Sequence, residues 1–395
     1  MIQQPAPEPV TSEGPSRFAL TRGSDISVSP GLCQKVRFRQ STCQKCVEIC
    51  PETAISLDPE PRISDLCSGC GLCVLACPTE VFESKLYPDG YFLNLLTSPS
   101  YRHDDTGEER KLSIYCRRAK RPSTHAVGVP CLGTVGENVL FGAALAGFEK
   151  VVLVRGRCEG CHLKPAEHLM RRSIRRAEAL AKGTGLDGVS FTTVEREKER
   201  HRPVGRREMF EGFAKKITTS ARTIASIEGA TVGESVPREA ALSRDPGAGG
   251  SPGRALLRRF LHARPLDGAR PVAYDRDLPW ARVRVDEDRC TACGTCDAVC
   301  PTGAIHVDSE SESVILSFRP SACTNCSLCR DACAEDAIGF EAEFWIADLL
   351  QEEAEVVATI TSCWCTICGD VIPAGMGEVC PTCERRQVSA AHLKG

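Results

Sequence analysis

Long apolar runs are missing from this sequence. No stretch approaches the roughly eighteen residues needed to span a bilayer, so direct membrane insertion is not expected. The opening residues, MIQQPAPEPVTSEGPSRFAL, hold neither an apolar core of signal-peptide length nor a twin-arginine pair, which points to a cytoplasmic protein. Charge of one sign is lacking too. A formal net charge of −3 gives the whole molecule no pull toward nucleic acid. Aromatic residues make up 5%, and the arginine-rich stretches carry no interleaved rings on which bases could stack. Neither a G-x-G-x-x-G dinucleotide fingerprint nor a Walker P-loop is present. The C-x3-C-x2-C triad of radical S-adenosylmethionine chemistry is absent as well: Cys46 and Cys50 lead to Thr53, and Cys73 and Cys77 to Glu80. With no nucleophile, acid and base constellation and no flavin or nicotinamide site, catalytic residues are not expected.

Cysteine is what the chain has. There are 25 in 395 residues. Without a secretory signal, such usage means thiolates that bind metal rather than a disulfide scaffold. The most regular block reads CTACGTCDAVCP and then CTNCSLCRDAC, which is C-x2-C-x2-C-x3-C twice. This spacing wraps a loop round a cubane cluster, and the fourth Cys of each run crosses to the other cluster. Cys290, Cys293, Cys296 and Cys333 then form one 4Fe–4S set, and Cys300, Cys323, Cys326 and Cys329 the second. Zinc knuckles also use C-x2-C, but zinc has no use for three cysteines in register with a fourth three residues on. The block resembles the bacterial two-cluster ferredoxins. Ala334 departs from that pattern, standing where Pro usually follows the eighth Cys, which bears on loop rigidity rather than ligation.

An earlier block repeats the theme with a change at its start. Cys67, Cys70, Cys73 and Cys77-Pro78 are regular, whereas Cys33 precedes Cys43, Cys46 and Cys50-Pro51 by an insertion containing Arg37, Phe38 and Arg39. Crossed ligation pairs Cys33, Cys43 and Cys46 with Cys77, and Cys67, Cys70 and Cys73 with Cys50. Cys33 could instead be a bystander, leaving a three-iron or vacant site. This block too resembles a two-cluster ferredoxin, with one ligand looped out.

Between the blocks the pattern changes. KLSIYC (111–116), HAVGVPCLG (125–133), VVLVRG (151–156) and VSFTTV read as strands, alternating with helices at TVGENVLFGAALAGFEK, at Ala166–Lys182 and at REMFEGFAKKITTSARTIASI. Such alternation predicts an α/β unit with a parallel sheet, whose ligands sit beyond the carboxyl ends of the strands. Cys116, Cys131, Cys158 and Cys161 all fall there, and four convergent thiolates suit 2Fe–2S, zinc or a dithiol switch. VPCLGTV and ALAGFEKVVLVRGRCEGCHLKP resemble the delta subunit of methyl-viologen-reducing hydrogenases. That resemblance, over residues 109–190, implies that these four cysteines ligate a 2Fe–2S cluster. It also implies electron relay between a hydrogenase or formate dehydrogenase and a heterodisulfide-reductase-like flavoprotein. The delta subunit often opens with adjacent cysteines, while Cys116 stands alone. His162 is a candidate Rieske-like ligand or a neighbour of the site; Arg171, Arg172, Arg175 and Arg176 read as a solvated helix face or a dock for an acidic partner.

At the end, Cys365 and Cys368, then Cys380 and Cys383, have the spacing of a four-thiolate ribbon for zinc, or for iron as in rubredoxin, with Cys363 left over. EFWIADLLQEEAEVVATI before it reads as a helix or a helix and strand. The expected fold class is a multidomain α+β and α/β chain. In order it has a flexible arm (1–30), a ferredoxin-like module (31–100), the α/β unit (109–228), a flexible linker (229–275), a second ferredoxin-like module (276–345) and a metal ribbon (360–395). Up to four 4Fe–4S clusters, one 2Fe–2S and one zinc account for 24 of the 25 cysteines. The expected role is single-electron transfer between redox proteins; a redox-sensing regulator and a cluster-assembly scaffold are the rival readings.

Overall fold

In the computed structural model the described residues are 25–85, 91–92, 95–96, 110–197, 252–263, 266, 268–310, 312–369, 371–380, 383–384 and 386. The α/β unit is built on a four-stranded sheet in the order β6-β5-β7-β8: β5 (Lys111–Cys116), β6 (Val127–Val129), β7 (Lys150–Arg155) and β8 (Ser190–Glu195). All three pairings are parallel. The run KVVLVR forms β7 because its branched side chains are covered on both faces, as a central parallel strand requires. Leu112, Ile114, Val151 and Leu153 pack under α4 (Glu137–Leu145) and α5 (Ala166–Gly183). Tyr115, Val152 and Val154 face the other side, over the loop carrying Ala119 and Ala126. Both helices pack in one core, as the single preferred hand of parallel crossovers requires of a chain that moves β6 to β7 to β8 across the sheet in one direction.

Two small modules flank this unit. In the first, β1 (Ile26–Val28) pairs antiparallel with β4 (Phe82–Ser84), and the two-residue strands β2 (Ile55–Ser56) and β3 (Arg62–Ile63) pair between them. In the second, β10 (Val283–Val285) pairs with β13 (Ile338–Phe340), and a β11–β12 hairpin (Ile305–Ser309, Ser313–Phe318) extends outward. The cores of these modules are small, and cysteines are part of them.

Three expectations are corrected. From Pro252 the stretch expected to be linker is a helix, α6 (Pro252–His262), followed by β9 (Val272–Ala273), which pairs with β14 (Glu343–Phe344). Leu257 and Leu261, one turn apart, are buried in the α/β core, and this apolar face outweighs the surrounding Gly, Pro and Arg. EFWIADLLQEEAEVVATI forms no α-helix: a 3₁₀ turn (Ile346–Leu350) leads into the ten-residue strand β15 (Glu355–Trp364). Its β-branched run finds β12 as a partner, and pairing decides the matter. The expected arm gives way by Ile26 to β1. The expected helix at REMFEGFAKKITTSARTIASI lies outside the described residues. Among the described residues no helix is long and apolar enough to cross a membrane.

Candidate metal centres

The ferredoxin-type loops are built from left-handed residues at repeated positions. In Cys67–Cys73, Cys290–Cys296 and Cys323–Cys329, the residue before the second Cys and the one after it have positive φ. These are Gly69 and Gly71, Ala292 and Gly294, and Asn325 and Ser327. Such turns curl the backbone round a point and aim N–H groups inward, as Gly69 N to Cys67 Sγ (3.4 Å) and Asn325 N to Cys323 Sγ (3.4 Å) illustrate. The third Cys sits on a short helix that delivers the fourth, at α3 (Leu72–Ala76), α7 (Thr295–Val299) and α8 (Leu328–Asp331).

A second turn follows each crossing Cys. Three residues on stands a left-handed residue (Thr53, Glu80, Gly303, Asp336), and four residues on a backbone N–H reaches back to the sulfur. The distances are 3.3 Å for Ala54 to Cys50, 3.4 Å for Val81 to Cys77, and 3.3 Å for both Ala304 to Cys300 and Ala337 to Cys333. The last of these turns forms with Ala334 in place of Pro, so its shape does not depend on the ring.

Cysteines of each module pack together in its small core. Burial, reinforced by the Cys77, Cys43 and Cys33 thiols, pushes Cys46 up to about 12. Cys73 is raised by burial and then by Cys70, Cys67 and Cys50. Cys296 rises to about 12 by burial beside Cys290 and Cys293, and Cys290 in turn is raised by burial and then faces Cys293 and Cys333. Cys329 is held high by burial, with Cys326, Cys323 and Cys300 around it. Burial and neighbouring thiols hold Cys46, Cys73, Cys296 and Cys329 toward their neutral form, a donor arrangement suited to a cation that displaces the protons. Cys33 shares a buried cluster with Cys46 although no left-handed residue prepares it; it follows the 3₁₀ turn Pro30–Leu32, and the insertion continues as α1 (Gln34–Arg37).

The α/β unit builds its site differently. Cys116 ends β5, Cys131 follows β6, and Cys158 and Cys161 follow β7, so three parallel strands deliver four thiols to one rim. They line a cavity of about 30 Å³ with Arg117, Arg118 and Arg155. Gly156 N donates to Cys116 Sγ at 3.3 Å, and a Cβ on Gly156 would stand 2.6 Å from Arg118 O. Burial, opposed by the Gly133 N–H and helped by Cys116, Cys161 and Cys158, raises Cys131 to about 12. Half-buried, convergent thiols with N–H donors and cationic surroundings fit a compact thiolate-bound metal centre.

The ribbon gathers its ligands most tightly. β15 pairs with β16 (Val371–Pro373), and the sulfurs of Cys365, Cys368, Cys380 and Cys383 lie within 4.8 Å of one another. Cys368 and Cys380 are 3.7 Å apart, against edges of about 3.8 Å in a tetrahedron of 2.3 Å metal–sulfur bonds. The Cys368 and Cys380 backbone N–H groups pull Cys365 down to about 6. The donor set fits one tetrahedral ion. Cys363 stands apart, its thiol directed to Gly377 O at 3.5 Å.

Other singled-out residues have structural partners. His162 Nε2 meets Glu52 Oε1 at 2.7 Å. On α5, Arg171 pairs with Glu167 (2.9 Å), Arg172 donates to Leu75 O (2.7 Å), Arg175 faces Asp277 (3.6 Å) and Arg176 binds Glu137 (2.8 Å). Much of that basic face is therefore used inside the molecule. Sequence reasoning missed Gln34 and Arg254. Gln34 Nε2 donates to Cys326 O (2.9 Å), and Arg254 Nη1 donates to Cys323 O (2.7 Å). Neither has a signal in its own neighbourhood, since the partner of each lies in a distant ligand loop.

Residues 282–340 match the 4Fe-4S dicluster domain family, and residues 61–83 match the 4Fe-4S binding domain family. The first span contains Cys290 through Cys333, and the second contains Cys67, Cys70, Cys73 and Cys77. No curated protein matches the chain. At two positions the chain thus carries ferredoxin-type 4Fe-4S domains.

Proposed function

We propose that this protein is a cytoplasmic iron–sulfur electron-transfer subunit. In this reading it relays single electrons between a hydrogenase, formate dehydrogenase or heterodisulfide-reductase-like flavoprotein and another redox carrier. The observation that carries the proposal is the fourfold recurrence of one turn after Cys50, Cys77, Cys300 and Cys333, with its left-handed residue and N–H···S bond. In this reading four 4Fe–4S clusters are held by Cys33, Cys43, Cys46 and Cys77; by Cys50, Cys67, Cys70 and Cys73; by Cys290, Cys293, Cys296 and Cys333; and by Cys300, Cys323, Cys326 and Cys329. Cys116, Cys131, Cys158 and Cys161 hold a 2Fe–2S cluster, and Cys365, Cys368, Cys380 and Cys383 hold zinc. Bound clusters supply one-electron carriers with potentials anywhere in about −700 to +450 mV, set by hydrogen bonds, charge and solvent.

The chain's own contribution is to place and tune. Backbone N–H groups direct positive dipole ends at the sulfurs and ease the acceptance of negative charge. Burial opposes that charge, and Arg155 beside Cys158 offsets burial at the α/β site. Metal and sulfide analysis of anaerobically purified protein, with EPR during reductive titration, tests the proposal. About 18 iron, 18 sulfide and one zinc per chain are expected. Near 16 iron with no 2Fe–2S signal removes the α/β site from the reading, and clusters that reduce slowly and pass readily to other apo-proteins overturn it in favour of a scaffold.

A further inference from the structure

We infer that the five cysteine sets outside the ribbon form one unbranched row, in the order α/β site, Cys50 set, Cys33 set, Cys300 set, Cys290 set. In this row Gln34 and Arg254 are positioning residues that hold its central junction. The inference rests on the electron-transfer reading and adds to it a route and the side chains that keep it continuous.

Each link has a contact. The α/β site meets the Cys50 set across one small apolar cluster, Ile49, Leu72 and Ala76 from the first module against Leu163, Ala166 and Leu169, with Cys70, Cys131 and Cys161 packed on it. Arg172 reaches across the same seam to Leu75 O at 2.7 Å, and His162 of one site's loop bonds Glu52 of the other's at 2.7 Å. Within each module the sets adjoin: Cys46 and Cys73 share one buried cluster, and Cys296 and Cys329 pack on another.

The central junction joins modules far apart in the chain, 292 residues between Gln34 and Cys326. Two side chains span it. Gln34, next to Cys33 and 8% exposed, donates to Cys326 O at 2.9 Å. Arg254, 5% exposed, donates to Cys323 O and to Pro279 O, each at 2.7 Å, and its guanidinium lies 5.0 Å from the Trp280 ring centroid. Its Nε stands 3.6 Å from Glu80 Oε1, in the turn that follows Cys77. A buried arginine is costly unless its donors are placed, and these are placed on a ligand turn of each module. The insertion that displaces Cys33 in sequence is the segment that supplies Gln34. By contrast, Phe344, Ile346 and Leu349 dock the second module on the α/β core without involving a ligand loop.

The test uses the full chain, reduced completely with dithionite, with EPR reading the magnetic interaction between neighbouring clusters. Arg254→Met and Gln34→Leu are expected to keep the full iron and sulfide content while the interaction between the Cys33 and Cys300 sets weakens several-fold. Arg254→Lys should restore part of it. Cys46→Ser should remove one cluster and leave the Cys300 and Cys290 sets coupled only to each other. Gln34→Leu removes only the amide's contacts with Cys326 at nearly the same side-chain volume, so it remains informative if Arg254→Met does not fold. Full iron with unchanged interaction in Gln34→Leu and Arg254→Met overturns the row's central junction; wild-type protein lacking 4Fe–4S clusters overturns the electron-transfer reading instead.

Discussion

The ferredoxin-type sites and the α/β site solve the same problem, gathering four thiols, in opposite ways. In three of the first kind, three ligand cysteines come from seven consecutive residues, and left-handed positions such as Gly69 and Gly71 shape a loop with little core behind it. In the second, the ligands follow three strands, and an extensive core under α4 and α5 holds the strands whether or not a metal is bound. One kind of site lends structure to its peptide. The other borrows structure from its sheet.

Removing the metals breaks the comparison most sharply. Structural thiolate–metal binding is worth about 10–16 kcal/mol of folding free energy for zinc, so chelation under reducing conditions should unfold the ribbon and both ferredoxin-type modules. Hydrogen exchange should show protection retained in β5, β7 and α4. Loss of protection in the α/β unit together with the modules would end the distinction.

Cutting the sheet's core should do the reverse. Leu153 is fully buried in β7, and Leu153→Ala should cost about 2–5 kcal/mol. The metal at Cys116, Cys131, Cys158 and Cys161 should be lost, while the EPR signals of the Cys290 and Cys300 sets persist. Gly133 offers a more local version. A Cβ there would stand 2.4 Å from Ala166 Cβ, so Gly133→Ala should cost about 1–3 kcal/mol and lower metal content at this site alone, read by iron analysis.

The smallest effects sharpen the loop side. Ala292 is left-handed at φ 51°, a strain of roughly 1–2 kcal/mol for an L-residue that glycine relieves, less the extra freedom glycine gives the unfolded chain. Ala292→Gly should slow cluster loss to a chelator. Gly294→Ala, at φ 69° with open space around it, should hasten it, and equal rates in both would show that the turn does not limit the site.

These differences also explain what could be read from sequence. The turns of the regular ligand loops were legible because spacing and turn chemistry lie within a few residues, as at Cys67–Cys73. The parallel sheet was legible from KVVLVR, whose composition suits burial on both faces. Residues 252–275 were not, because Leu257 and Leu261 form only one stripe within an arginine-, glycine- and proline-rich stretch, and the α/β core completes them. Arg254 looked like linker charge, and its role depends on Cys323 and Glu80 from two other modules. Gln34 looked like part of a loose insertion. Interactions between modules leave no periodicity to find.

The spread of Cys116, Cys131, Cys158 and Cys161 over three strands bears on how the protein matures. As the chain leaves the ribosome, the loop Cys67–Cys73 can wrap a cluster as soon as Cys50 is beside it. The α/β site has no ligand cage until β7 has paired with β5, so its four thiols converge only once the sheet has formed. Starved of metal, the chain would therefore hold a folded α/β sheet between two modules whose small cores lean on their cysteines.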